Sequence, residues 1–106
     1  MAWIYLIIAG ILEVVWAYFM KQSEGFTKLT PSVITITTMI ASFTLLALAM
    51  RSLPLGTSYV IWTGIGAIGA FLVGIIVLGE PANGLRLLAG AMIVGGLLLM
   101  KFATPA

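Results

Sequence analysis

The chain has 106 residues, of which 62% are hydrophobic and 8% are charged, and its formal net charge is +2 at pH 7. Because a soluble domain carries about 25% charged residues, this composition indicates an integral membrane protein and gives no support for nucleic-acid binding. The chain has three acidic residues, all Glu, and neither Cys nor His, which excludes paired-carboxylate hydrolysis, thiol chemistry, histidine-centred catalysis and a metal-ligand cluster within one copy.

The first predicted span covers about residues 3–20, and Glu13 is its only acidic or basic residue. An ionised side chain at mid-bilayer costs roughly 2.5–3.5 kcal/mol on insertion scales, and such residues usually mark an ion or substrate path. We therefore interpret Glu13 as functional; the alternative is a protonated acid that joins two helices by a hydrogen bond. The N-terminus lacks a basic region and Glu13 interrupts the apolar stretch, so we expect no cleavable signal peptide.

Trp16 lies three residues after Glu13 and therefore on the same face of a helix. Gly10 and Ala17 share that face and leave space around the carboxylate. The indole of Trp16 can donate an N–H, and its ring can lie over a cation. The alternative is an ordinary core or lipid-facing tryptophan, of the interfacial kind that we expect for Trp3.

The second predicted span covers about residues 30–50, with Pro31 in its first turn. Ser42 lies in the middle of this span and is a candidate site residue. The alternative is a hydroxyl that bonds back to a carbonyl of its own helix. We interpret the neighbouring Phe43 as a packing residue.

The third predicted span covers about residues 57–78 and begins with Tyr59, which shares a face with Trp62. Thr63 and Gly66 follow and would shape the same site. A Tyr–Trp face can orient a carboxylate through hydroxyl and indole hydrogen bonds, or enclose a flat cation. Aromatic residues this near the end of a span could equally form an interfacial belt.

The fourth predicted span covers about residues 85–101 and has no polar residue to contribute to a site. Ala91 and Gly95 form a small-xxx-small pair, as Ala70 and Gly74 do in the third span. Such pairs permit close helix approach, so we predict that the fourth span packs against another molecule.

The four spans form a single four-helix domain over residues 1–106, with short loops that put both termini on one side. The number of Lys and Arg side chains is nearly equal on the two sides: Arg51 and Lys101 against Lys21, Lys28 and Arg86. The positive-inside rule therefore hardly selects an orientation, and the chain could insert both ways. Two antiparallel copies would form an inverted repeat and bring two Glu13 carboxylates to one site near the midplane.

Acidic, hydroxyl and aromatic groups without an intramembrane base make a site for a cation. The acid must lose its proton before it can pair with a cation, so protons and cations compete for the same oxygens. One site that holds either occupant and opens to alternate sides of the membrane is sufficient for antiport.

The chain resembles the small multidrug resistance family, specifically its guanidinium-exporter branch, over essentially its whole length. The resemblance is carried by residues 3–4, 9–10, 12–17, 25–27, 31–32, 53–57 and 59–67, and by the final span ending at Lys101. It implies an all-α fold with four transmembrane helices per subunit, an antiparallel dual-topology homodimer and proton-coupled export across the bacterial inner membrane.

The resemblance also implies roles for individual residues. Glu13 matches the essential acid that protons and substrate share, and Trp16, Ser42, Tyr59 and Trp62 match residues that line and orient it. In the multidrug branch the position of Trp16 is typically Gly, so Trp16 favours small planar cations. Gly10, Thr63 and Gly66 are expected to support the shape of the site.

The sequence therefore predicts a transporter rather than an enzyme, with no cofactor and no metal. Its expected partners are guanidinium-type cations such as guanidinium and guanylurea, protons, membrane lipid and a second copy of the chain. The first alternative is a broad quaternary-ammonium exporter with the same mechanism. A structural or regulatory membrane protein and a passive cation channel are alternatives of different classes.

Overall fold

A computed structural model describes residues 1–104, which form four helices joined by short loops. The helices are α1 (Ala2–Gln22), α2 (Leu29–Ala49), α3 (Leu55–Ile76) and α4 (Gly84–Ala103). Each has 20 to 22 residues and is apolar enough to cross a membrane. Since a helix rises about 1.5 Å per residue, each can span the hydrocarbon core of about 30 Å. The predicted all-α membrane fold is confirmed; the last two residues of the predicted domain lie outside the described range.

The third helix begins and ends two residues earlier than the sequence pattern indicated. Pro54 is its N-cap, with an extended backbone (φ −61°, ψ 152°), so the helix starts directly after it. At the other end Gly79 adopts a left-handed φ of +71°, which glycine tolerates without strain. The chain folds back there, and the backbone N–H of Glu80 donates to the carbonyl of Gly74 at 2.9 Å.

The four helices form a slab with dimensions of 42 × 35 × 16 Å. Helix α1 packs against α2 and α3, whereas α4 packs its backbone against α3 alone among the described helices. A helix with its side chains is about 10–12 Å across, so the slab is little more than one helix thick. Many large apolar side chains are exposed in so thin a molecule, as expected of a chain that contacts lipid or a second copy.

The buried apolar core lies in the half of the slab where α1 and α3 begin and α2 ends. It consists of Leu6, Ala9, Leu46, Ala49, Leu53, Ile61 and Trp62. Ala9 is the last residue that α1 contributes to this core, and Glu13 lies one turn beyond it. The acid is thus placed at the boundary between a closely packed half of the subunit and a more open half.

Candidate functional site

Glu13 is partly buried on the face of α1 that packs against α3. Its carboxylate lies directly against Gly66, where an added Cβ atom would overlap the Oε1 oxygen. That oxygen is buried and has no hydrogen-bond partner among the described residues. Buried polar atoms are normally satisfied, so this oxygen stands out as an acceptor that is free to bind a donor.

Glycines allow α1 and α3 to approach closely on both sides of this carboxylate. A Cβ atom at Gly10 would lie 2.6 Å from the side chain of Ile65, which is too close for a real contact. On the other side of the carboxylate, a Cβ atom at Gly69 on α3 would overlap the side chain of Val14 on α1. The sequence predicts that Gly10 leaves space around the carboxylate; in the structure Gly10 lies against Ile65, so a larger residue there would separate the two helices that hold the acid.

Ser42 connects three helices rather than bonding back to its own. Its fully buried hydroxyl donates to the carbonyl of Ala9 on α1 at 2.7 Å. The same oxygen accepts a hydrogen bond from the indole N–H of Trp62 on α3 at 3.0 Å. These two bonds hold α1, α2 and α3 together one turn from Glu13.

A continuous row of aromatic rings runs from the outer face of α3 toward α1. The ring of Tyr59 lies 5.7 Å from that of Trp62, which lies 5.7 Å from Phe43. Phe43 in turn meets Trp16 edge to face, with 6.4 Å between centroids. Phe43, interpreted from the sequence as packing, is thus the link between the two tryptophans; its position beside Ser42 was the available signal. The indole nitrogen of Trp16 is buried without a partner.

Two predicted site residues lie apart from the carboxylate within this subunit. Tyr59 is 53% exposed and Thr63 is also exposed. Both line an apolar groove of about 530 Å³ between α3 and α4, whose other walls include Leu97 and Met100. The predicted residues therefore divide into two sets. The outer pair, Tyr59 and Thr63, faces lipid or a neighbouring molecule. The inner group consists of Glu13, Trp16, Ser42 and Trp62, with Gly10 and Gly66.

The inner group can bind a small, flat cation. It offers a carboxylate with an unpartnered oxygen, an indole N–H without an acceptor and the faces of several aromatic rings. Within residues 1–104 no three acidic, His or Cys side chains come together in a way that could hold a metal ion. The chemistry available is reversible binding of a proton or a cation by the carboxylate of Glu13.

Comparison with known proteins gives a consistent result over nearly the whole length. A family model described as "Small Multidrug Resistance protein" matches residues 1–101. A protein named "Guanidinium exporter" from Escherichia coli (strain K12) is 59% identical over 104 residues, covering 98% of this chain and 99% of the relative. Proteins of the same name from Citrobacter freundii and Salmonella typhimurium are 56% identical over the same shares of both chains.

Proposed function

The chain belongs to the small multidrug resistance family, and on that premise we propose that it exports guanidinium in exchange for protons. Small substituted guanidinium compounds such as guanylurea are included in the proposed substrate range. The protein is a multi-pass protein of the bacterial inner membrane, and its relatives named as exporters are transporters rather than enzymes.

The observation that carries this proposal is the buried, unpartnered Oε1 oxygen of Glu13. Guanidinium is planar and presents its N–H donors in a fork that matches a carboxylate, and it remains charged at any working pH. A proton on Glu13 removes the charge that attracts the cation, and a bound cation excludes the proton. This mutual exclusion couples the movement of the two in opposite directions.

The aromatic groups support a small, flat substrate over a bulky one. Trp16, one helical turn from the acid, meets Phe43 edge to face, and two rings packed in this way leave little room for a bulky cation. A quaternary ammonium ion has no N–H donor, so it would leave the carboxylate oxygens without hydrogen bonds. In the proposed site, Trp16 and Trp62 contact or frame the cation, and Ser42 and Tyr59 hold these rings in position.

We propose further that the working unit is an antiparallel homodimer. One subunit supplies a single intramembrane acid and a slab 16 Å thick, which cannot by itself enclose a path. Helix α4 is the natural contact surface, because it is almost wholly exposed and, among the described helices, its backbone comes close only to that of α3. Gly95 and Gly96 have open space around them, where a second helix could approach closely.

The alternative of Glu13 as a structural link between helices has less support. A link requires a hydrogen-bond partner for the acid, and Oε1 has none among the described residues. The hydrogen bonds that do join the helices here belong to Ser42 and leave the carboxylate free.

The test is to reconstitute the purified protein in proteoliposomes on a solid support and record currents evoked by guanidinium, guanylurea and a bulky tetra-substituted ammonium ion. If two protons exchange for one monovalent cation, transport moves net charge and appears as a current. The proposal predicts currents with the first two compounds. Currents with the bulky ion alone would instead favour the quaternary-ammonium exporter.

A further inference from the structure

A cavity of about 160 Å³ lies between α1 and α3, toward the end of the molecule that carries the α1–α2 and α3–α4 loops. It is lined by Val14 and Ala17 on α1 and by Ala70 and Gly74 on α3. Ala17 lies one turn beyond Glu13, and Ala70 lies one turn beyond Gly66, so the cavity is about one turn from the inner acid along both helices.

A second acid lies at the outer end of this cavity. Glu80 lines it, and its carboxylate rests against Gly74, where an added Cβ atom would lie 2.6 Å from Oε1. This repeats the arrangement of Glu13 on Gly66. The two glycines are eight residues apart, so the two carboxylates rest on points of α3 separated by about 12 Å along its axis.

The guanidinium group of Arg86 forms an ion pair with this outer acid. The Nη2 atom of Arg86 lies 3.4 Å from Oε1 of Glu80. The same guanidinium lies over the ring of Phe71, with 5.2 Å from Cζ to the centroid. At the outer end of the cavity, a carboxylate and an aromatic ring thus hold a guanidinium group. The substrate is proposed to bind at Glu13 through the same kinds of contact.

We infer that Glu80 is a second cation-binding residue, which receives a substrate guanidinium at the outer end of this cavity, and that Arg86 competes with the substrate for it. This inference rests on the proposed function. Both members of the Glu80–Arg86 pair are partly exposed, and such pairs are weak, so a substrate can displace Arg86. The displaced side chain can turn to solvent, while the cation gains access to the cavity about one turn from Glu13.

The positive charges near Glu80 favour only brief binding of a cation. Lys21 lines the same cavity as Glu80 and adds a positive charge there. Together with Arg86 it limits how long a second cation stays. Passage through a membrane protein requires binding that is favourable enough to admit an ion and weak enough to release it. In an antiparallel dimer, one such site would face each side of the membrane.

The experiment compares three single substitutions in the reconstituted protein: Glu80→Gln, Arg86→Gln and Glu24→Gln. The third is a matched control, because Glu24 is a paired acid on the same end of the subunit, 3.5 Å from Lys28, and does not line the cavity. The measurement is the concentration of guanidinium that gives half-maximal transport, together with the maximal rate. The apparent affinity of Glu24→Gln is expected to match that of the unsubstituted protein.

Substitution of Glu80 and substitution of Arg86 should change the half-saturating guanidinium concentration in opposite directions. Glu80→Gln should raise the half-saturating guanidinium concentration by about twofold to fivefold, as expected for loss of one partly exposed charged contact. Arg86→Gln should lower it, because the competitor is removed. A purely structural ion pair would give changes in the same direction for both, and that result, or an unchanged value in Glu80→Gln, would overturn the inference. A lack of any guanidinium transport in the unsubstituted protein would instead refute the proposed function itself.

Discussion

The carboxylate of Glu13 rests on the backbone of Gly66, in a space that no larger residue would leave. The acid is therefore held against α3 by shape rather than by a hydrogen bond. This relationship gives a glycine in the third helix a direct part in positioning a group on the first. It also makes the position of the carboxylate sensitive to a single methyl group.

Replacement of Gly66 by Ala should displace the Glu13 side chain and weaken transport. Overpacking of this kind costs about 1–3 kcal/mol of stability, which movement of the Glu13 side chain can relieve. A loss of about 1.4 kcal/mol in cation binding through this movement would raise the half-saturating guanidinium concentration about tenfold. Gly56→Ala is the control, because Gly56 is in the same helix and has open space around it. Equal transport by the two variants would show that the close contact with Gly66 has no functional consequence.

Removal of the Ser42 hydroxyl should destabilise the packed half of the subunit. In Ser42→Ala the buried indole N–H of Trp62 loses its acceptor, which costs about 1–3 kcal/mol. Thr44→Ala is the control, since Thr44 is exposed and bonds only to its own helix at Ile40. The measurement is the midpoint of denaturation in detergent together with guanidinium transport.

A double-mutant cycle tests whether that effect belongs to the hydrogen bond. Trp62→Phe removes the donor, and the double variant with Ser42→Ala removes both partners. The effects should be strongly non-additive, because the second substitution then breaks a bond that is already lost. Additive losses of stability would mean that the two side chains act independently.

Trp16 should set the upper limit on substrate size. Trp16→Gly removes the ring that meets Phe43 edge to face and opens space beside the acid. We expect transport of a bulky tetra-substituted ammonium ion to appear or increase, while guanidinium transport weakens. Trp3→Gly is the control, because Trp3 lies under Lys101 at the other end of the helix, with 4.6 Å from the ammonium to the ring. An unchanged substrate range in Trp16→Gly would mean that Trp16 is a packing residue and does not limit substrate size.

Competition between protons and substrate should be visible at constant proton gradient. When both sides are made more acidic, more Glu13 is protonated, so more guanidinium is needed for half-maximal transport. High guanidinium should restore much of the rate, because the two occupants exclude one another. A half-saturating concentration that does not change with pH would mean that protons and guanidinium bind at separate groups.

The sequence was sufficient to predict the four helices, because charged and turn residues interrupt the apolar runs at nearly the positions where the helices end. It placed α3 two residues late at both ends, since the extended backbone of Pro54 and the left-handed turn at Gly79 depend on local geometry. It identified Glu13 by its charge in an apolar run. These are properties that residue type and spacing determine almost alone.

Contacts between helices could not be predicted in the same way. A mid-span serine such as Ser42 can donate to a carbonyl of its own helix or to one of a neighbouring helix. Here the packing of α1 against α2 places the carbonyl of Ala9 within reach, and Ser42 donates to it. The role of Phe43 depends on the rotation of α2, which a uniformly apolar helix does not reveal. The return of Glu80 to Gly74 requires the turn at Gly79, so the outer acid has no signal in sequence spacing.

The central claim is that one carboxylate carries both protons and guanidinium, and Glu13→Gln tests it most directly. Glutamine keeps the shape of the side chain but can neither ionise nor exchange a proton at this position. We predict that guanidinium-evoked currents disappear in this variant while the protein still folds and assembles, as judged by its size in detergent. Guanidinium currents of normal size in correctly assembled Glu13→Gln would contradict the account.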